Sequence, residues 1–206
     1  SYFAEVAAQK VRDMGPIWFR PANEMNGSWT PYYGDPTNYV KAWRRMYNIA
    51  EQLGVTAYNV FVWSPNSVSM PGTEANAMKN YYPGDMYVDW LGVSCYPPSL
   101  RYPLTLMQGI KQVSADKPIM ISEGGYSSTC DHQRWVREWF KLKDEEPRVK
   151  AVVWENHENA ENGDRRLQSD PLALELYKEL VQDPYWLDLI PDAVYSEIET
   201  RKNNSK

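Results

Sequence analysis

Two glutamates stand where this chain could carry out acid–base and nucleophilic chemistry. Glu24 lies in Arg20-Pro21-Ala22-Asn23-Glu24-Met25-Asn26-Gly27, and Glu123 lies in Ile121-Ser122-Glu123-Gly124-Gly125-Tyr126. Each comes at, or a few residues after, the end of a short apolar run that reads as a strand. A pair of carboxyl groups on neighbouring strand ends suits displacement at an acetal carbon. One, protonated, helps the departing oxygen leave; the other, ionised, attacks the carbon. Retention of configuration needs the two about 5–5.5 Å apart, and inversion needs about 6.5–9.5 Å. The glycines after Glu123 leave one side open, which suits the nucleophile. Glu24 has Arg20, Asn23, Asn26 and Trp29 around it. Repulsion from an ionised Glu123 would keep it protonated for the acid/base role.

A carboxylate near a strand end is ordinarily a surface or structural group. These two differ in setting, because both sit in dense polar-aromatic motifs and not on helix faces. Asp89 and Glu155 compete with them. Asp89 begins its strand, so it is expected at the opposite rim or in the wall. Glu155 ends the last strand beside Trp154 and ranks third.

The elements that must position these residues form a series. Ile17–Arg20, Asn59–Trp63, Val88–Ser94, Pro118–Ser122 and Val149–Trp154 are short apolar runs without polar alternation, as expected of parallel strands covered on both faces. Most lead through a Gly-, Pro-, Asn- or Ser-rich loop into a helical pattern. Asn38–Leu53 carries Tyr39, Trp43, Met46, Tyr47 and Ala50 at helical spacing and stops at Gly54. Pro103–Val113, Asp131–Lys143 and Pro171–Val181 read similarly, with Asp170 as N-cap of the last. Tyr2–Asp13 reads as a helix before the first strand. The charge run Lys141–Pro147 reads as a solvated helix end, and residues 200–206 as a disordered tail.

Strand, loop and helix in repetition define an α/β fold. An open nucleotide-binding sheet would show a Gly-rich turn after its first strand, and Pro21-Ala22-Asn23-Glu24 is no phosphate cradle. Polar and aromatic residues collect at the strand ends: Arg20, Asn23 and Glu24; Trp63 and Asn66; Ser94 and Tyr96; Glu123; Trp154 and Asn156. In a (β/α)8 barrel those ends carry the chemistry, so the reading is a (β/α)8 barrel in a single domain over residues 1–206.

Composition narrows the partners. The balance of 22 basic and 27 acidic residues gives −5 with no basic cluster, which argues against nucleic acid. No apolar run reaches the length of a membrane span. Cys95 and Cys130 are the only cysteines and lack metal-ligand spacing; whether they pair stays open. No metal or other cofactor is implied. The 9 Trp and 15 Tyr against 4 Phe suit faces that stack on sugar rings, and they suit an ordinary core equally.

Arg20 to Trp29 resembles the acid/base motif of glycoside hydrolase family 26, which holds β-mannanases, some mixed-linkage β-glucanases and β-1,3-xylanases. Trp63-Ser64-Pro65-Asn66, Tyr82-Pro83-Gly84-Asp85 through Val88-Asp89-Trp90-Leu91-Gly92, and Lys117-Pro118-Ile119 into Glu123 recur in the family's order, from about residue 15 to about residue 180. The resemblance implies a retaining mechanism on a (β/α)8 barrel, Glu24 following the fourth strand as acid/base and Glu123 on the seventh as nucleophile. It further implies that Tyr96 orients the nucleophile by a hydrogen bond and that Trp154 forms the floor under the reacting sugar. Arg20 would steady the carboxylates, Trp63 and Trp29 would line the cleft, and Asn66 would contact substrate. Core packing is the competing role for Trp63 and Trp154, a structural hydroxyl for Tyr96, and a buried ion pair for Arg20. A secreted enzyme acting on a polysaccharide or oligosaccharide is the expected setting.

Two positions depart from the family. Asn23 stands where a His usually precedes the acid/base, an Asn–Glu pair common in related retaining glycosidases in which Asn contacts the sugar 2-hydroxyl. Ser94 stands where mannanases tend to carry an acid two residues before the Tyr. Both loosen the assignment to mannan. By the resemblance the chain covers strands four to eight, so an incomplete record of a longer protein, or a truncated relative relying on self-association, is expected. An endo-acting β-glycan hydrolase leads; a sugar-binding remnant without turnover, and another retaining glycosidase of the same clan, are the alternatives.

Overall fold

The computed structural model describes residues 2–97, 101–159 and 163–186. Five strands pair in parallel in chain order: β1 (Ile17–Phe19), β2 (Asn59–Trp63), β3 (Trp90–Cys95), β4 (Ile119–Gly124) and β5 (Val149–Val152). All five fall within the expected runs, or within two residues of them. Consecutive parallel order with crossovers between neighbours is the topology of a barrel arc. Among the described residues β1 and β5 each pair on one side only. The expected tail at residues 200–206 lies outside the described residues.

Helices cover the sheet. Helix α1 (Tyr2–Met14) ends at Gly15, whose φ of 85° turns the chain into β1. Helix α2 (Pro36–Gln52) starts where the Asp35 carboxylate accepts from the Asn38 amide and Pro36 takes a position that needs no donor. It stops at Gly54, with φ of 65°. Its Tyr39, Trp43 and Ala50 are buried against the sheet, while Met46 and Tyr47 pack at the margin. The expected helix over Pro103–Val113 is instead two short helices, α3 (Pro103–Leu106) and α4 (Gln108–Lys111). A Cβ at Gly109 would lie 2.9 Å from the Met78 methyl, so the glycine admits Met78 and weakens the helix at that point.

Helix α5 (His132–Glu145) buries Trp135, Val136, Trp139, Phe140 and Leu142. The charge run at its end is not simply solvated. Glu146 is buried and accepts from the Arg148 guanidinium, which also reaches the Ser114 and Lys111 carbonyls and ties the α4 end to β5. After β5 a two-stranded antiparallel hairpin, β6 (Glu158–Asn159) with β7 (Gly163–Asp164), precedes α6 (Pro171–Leu180). Cys95 and Cys130 are both free thiols. Among the described residues no helix is long and apolar enough to cross a membrane.

Asp170 caps α6 as expected. Its carboxylate accepts from the Leu172 and Ala173 amides and bonds His132, which fastens α6 to α5. These bonds, the Ala173 amide first, hold its carboxyl below the usual aspartate range. A depressed folded-state value means stabilisation that is present above the unfolded value, about 3.9, and lost as pH falls through the folded one. Asp170→Ala is therefore expected to lower unfolding free energy by about 1–2 kcal/mol at pH 7. The deficit should shrink towards pH 3; denaturant titration at both pH values measures it. An equal deficit at both would contradict the capping account.

Candidate active site

The strand ends bring Glu24 and Glu123 to one rim through neighbouring residues. Asn66 and Ser94 form a parallel bridge just beyond β2 and at the end of β3. The Asn66 amide donates to Glu24 Oε1 at 2.8 Å, and the Ser94 hydroxyl donates to Glu123 Oε1 at 2.7 Å. Bridged residues stand side by side, so each carboxylate is held by one member of a single pair.

A register shift in β4 makes this possible. Val93 pairs with Ile121, but Ser94 pairs with Glu123, so Ser122 is an extra residue. Without it Glu123 would be level with Cys95, which is fully buried. Bulges re-aim side chains in this way at strand ends. The displaced Ser122 hydroxyl is not idle: it meets the Ser64 hydroxyl at 2.7 Å and accepts from Arg20 at 2.9 Å. The other arm of the same guanidinium donates to Glu123 Oε2 at 3.1 Å, giving the carboxylate a charge-assisted partner. Gly124 follows because a Cβ there would lie 2.4 Å from the Cys95 carbonyl oxygen.

Glu24 sits on a strained loop. Ala22 and Glu24 have φ of 47° and 56°, left-handed values that cost non-glycine residues about 1–3 kcal/mol each. The surroundings hold them there. Tyr39 donates to the Ala22 carbonyl, Tyr32 to the Asn23 carbonyl, and the Glu24 amide to the Ser64 carbonyl at 2.8 Å. The Tyr32 phenol is pushed up by burial first and then by the Glu24 charge. Fully buried Asn26 joins this loop to the next: its amide donates to the Asn66 carbonyl while its oxygen accepts from the Asn66 backbone.

Trp29 completes the surroundings of Glu24. Its indole donates to Glu24 Oε2 at 2.7 Å while the residue stays 54% exposed. Gly27 is what lets the ring lie there, since a Cβ would fall 2.3 Å from it. Gly27→Ala is expected to displace the exposed indole and break its bond to the carboxylate. Loss of that exposed bond should lower the unfolding free energy by about 0.5–1.5 kcal/mol, which denaturant titration measures. An unchanged unfolding free energy would contradict the assignment.

The other expected site residues divide. Asn66 and Arg20 touch the carboxylates, and Asn23 contributes a carbonyl to the loop. Trp63 does not line the cleft. It is fully buried, edge-on to Tyr82 with centroids 5.0 Å apart, because its place in β2 turns the ring into the core. Trp154 is half-buried, packed edge-on by Tyr126, Trp139 and Tyr177, with its indole donating to the Arg165 carbonyl. Among the described residues Tyr96 does not orient Glu123 by a hydrogen bond; the bonds to Glu123 come from Arg20 and Ser94, and the Tyr96 ring lies against the Arg165 guanidinium. Glu155 is paired with Arg165 and His157. Asp89, as expected, is structural: it caps the Phe61 amide at 2.8 Å. Nothing in the sequence singles out Ser122 or Arg165, whereas Asn26 is expected beside Glu24 and Ser94 both at a strand end and as a departure from the family. A hydroxyl two residues before a strand-end Tyr was the available signal for Ser94.

Fold and site together define part of a (β/α)8 barrel with paired acids on its carboxyl rim. Residues 2–143 match the model of glycosyl hydrolase family 26, and the chain belongs to that family. Endoglucanase H of Acetivibrio thermocellus is 30% identical over 194 residues, covering 84% of this chain and 21% of that protein. Mannan endo-1,4-beta-mannosidase A and B of Caldalkalibacillus mannanilyticus is 27% identical over 162 residues, covering 69% of this chain and 29% of that protein. An endo-beta-1,4-mannanase of Cellulomonas fimi (a double mutant) superposes with a TM-score of 0.63 at 20% identity, over 89% of this chain and 46% of that one. The chain thus spans less than a third of the curated relatives and under half of that solved barrel.

Proposed function

We propose that the protein is a retaining endo-β-glycosidase acting outside the cell on mannan or mixed-linkage glucan. The observation that carries this is the bridged pair Asn66–Ser94, each member of which holds one of two carboxylates on the same rim. Glu123 attacks the anomeric carbon as the bond to the leaving oxygen breaks, and Glu24 gives that oxygen its proton. Water then gives its proton to Glu24 and attacks the glycosyl-enzyme, releasing the sugar and restoring both groups. Arg20 and Ser94 fix the Glu123 oxygens for attack. In the free protein the Asn66 amide and the exposed Trp29 indole orient the two Glu24 oxygens. Two relatives named for an endoglucanase and a mannosidase support the substrate class. Asn23 and Ser94 leave the choice between glucan and mannan open.

Reducing-sugar release from mannan, mixed-linkage glucan and xylan tests the reading, with the anomer of the first-formed product followed by NMR. Retention is expected; inversion would overturn the roles. The second reading, a glycan-binding module without turnover, draws on the single-sided pairing of β1 and β5 among the described residues. Binding without release would select it.

A further inference from the structure

Arg165 has no part in the scheme above, yet it touches the ends of three strands. Its side chain is only 7% exposed, deep for a guanidinium. One nitrogen, Nη1, pairs with Glu155 Oε2 at 3.2 Å, beyond β5. The guanidinium lies 4.5 Å over the Tyr96 ring, beyond β3. Its aliphatic stem passes Gly125, beyond β4, where a Cβ would come within 3.4 Å of it. Its carbonyl accepts the Trp154 indole at 3.0 Å. Its own amide bonds the His157 carbonyl at 3.1 Å, which anchors it beside the β6–β7 hairpin.

The partners explain why such a group is needed. Among the described residues Glu155 Oε2 and Arg165 Nε are buried without hydrogen-bond partners, and the ion pair compensates each charge. Tyr96 feels the charges of both Glu123 and Glu155, and its phenol is raised by burial first and then by the two carboxylates. Tyr96 thus stands between a carboxylate that reacts and one that does not. Without Arg165, Glu155 would be a second, uncompensated anion in the same space.

We propose that Arg165 is a positioning residue for the reaction, holding Glu155 and Tyr96 in one arrangement beside Glu123 and fixing the Trp154 indole. This rests on the hydrolase reading given above. Pairing with Glu155 keeps a second unpaired anion away from the nucleophile. Stacking over Tyr96 sets where that hydroxyl can reach. Misplacing a reacting group by about 1 Å costs on the order of 100-fold in rate.

Steady-state kinetics on mannan and mixed-linkage glucan oligosaccharides test the proposal, with thermal unfolding of each variant alongside. Arg165→Met is expected to lower kcat on the order of 100-fold with a much smaller change in KM. Adding Glu155→Gln should recover at least about tenfold of that loss, because the amide leaves no unpaired charge. A residue that merely supports the fold would show no such recovery. An Arg165→Met protein with wild-type kcat overturns the proposal, and so does a double variant no better than the single one. If Arg165→Met does not fold, Arg165→Lys keeps the charge and loses the planar stack. It should then cost about tenfold in kcat, and an unchanged kcat overturns the proposal. A wild-type protein inert on every glycan tested overturns the hydrolase reading and this inference together, whereas an active wild type with an indifferent variant overturns the inference alone.

Discussion

Glu123→Ala is expected to remove turnover by at least about 10⁴-fold, the scale on which loss of a nucleophile is felt elsewhere. The fold should survive the change. The Glu123 side chain is 28% exposed, and the Arg20 side chain, one arm of which its removal releases, is 25% exposed and keeps the Ser122 hydroxyl through its other arm. The remaining cost is one or two unpaired donors near water, about 1–3 kcal/mol. The test with most content adds azide. In the space of the missing carboxylate, the anion attacks the anomeric carbon of an activated β-glycoside from the face Glu123 used. The aryloxide leaves and an α-glycosyl azide forms, with no glycosyl-enzyme and one inversion. Finding that product by NMR would place Glu123 as the nucleophile. A variant with wild-type turnover, or azide rescue giving only the β-azide, would remove Glu123 from that role.

Much of this site was legible because barrel strands announce themselves. The runs at Asn59–Trp63 and Pro118–Ser122 are mainly apolar and bounded by loop-forming residues, and strands form at Asn59–Trp63 and Ile119–Gly124. The two glutamates were legible for the same reason, since they stand at or just beyond strand ends. The supports of the glutamates were not. Ser94 meets Glu123 only through the register shift in β4, and a one-residue shift leaves no trace in hydropathy. Arg165 reaches the rim from the end of a hairpin whose strands have two residues each, too short and polar to show any period. Trp63 misled because a Trp at a strand end among polar neighbours suits a sugar platform and a core equally; only the orientation of the ring decides. Glu146 was read as part of a solvated run because its partner Arg148 lies just beyond that run.

Glu24→Ala should produce a defect whose size depends on the substrate. Polysaccharides and other glycosides with poor leaving oxygens need the proton that Glu24 supplies, and removing a general acid costs about 10²–10⁴-fold. Aryl glycosides with acidic phenols leave unaided, so glycosylation of Glu123 should stay fast on them. Deglycosylation then lacks its base and becomes slow. The glycosyl-enzyme should accumulate, visible as a burst of phenol followed by a slow steady state with lowered kcat and KM. Azide should accelerate the second step, because an anion needs no proton removed to attack. It displaces Glu123 from the face opposite to that used in the first step, so the product is the β-glycosyl azide. The opposite anomers from the two variants separate the roles without reference to any measured distance. Loss of the Glu24 carboxylate also frees the Trp29 indole and the Asn66 amide, both of which now point at an empty position. Trp29→Phe separates this effect from acid catalysis: it should lower kcat/KM on activated and unactivated substrates alike. Equal losses on both substrate types in Glu24→Ala would show that Glu24 positions the site without transferring a proton.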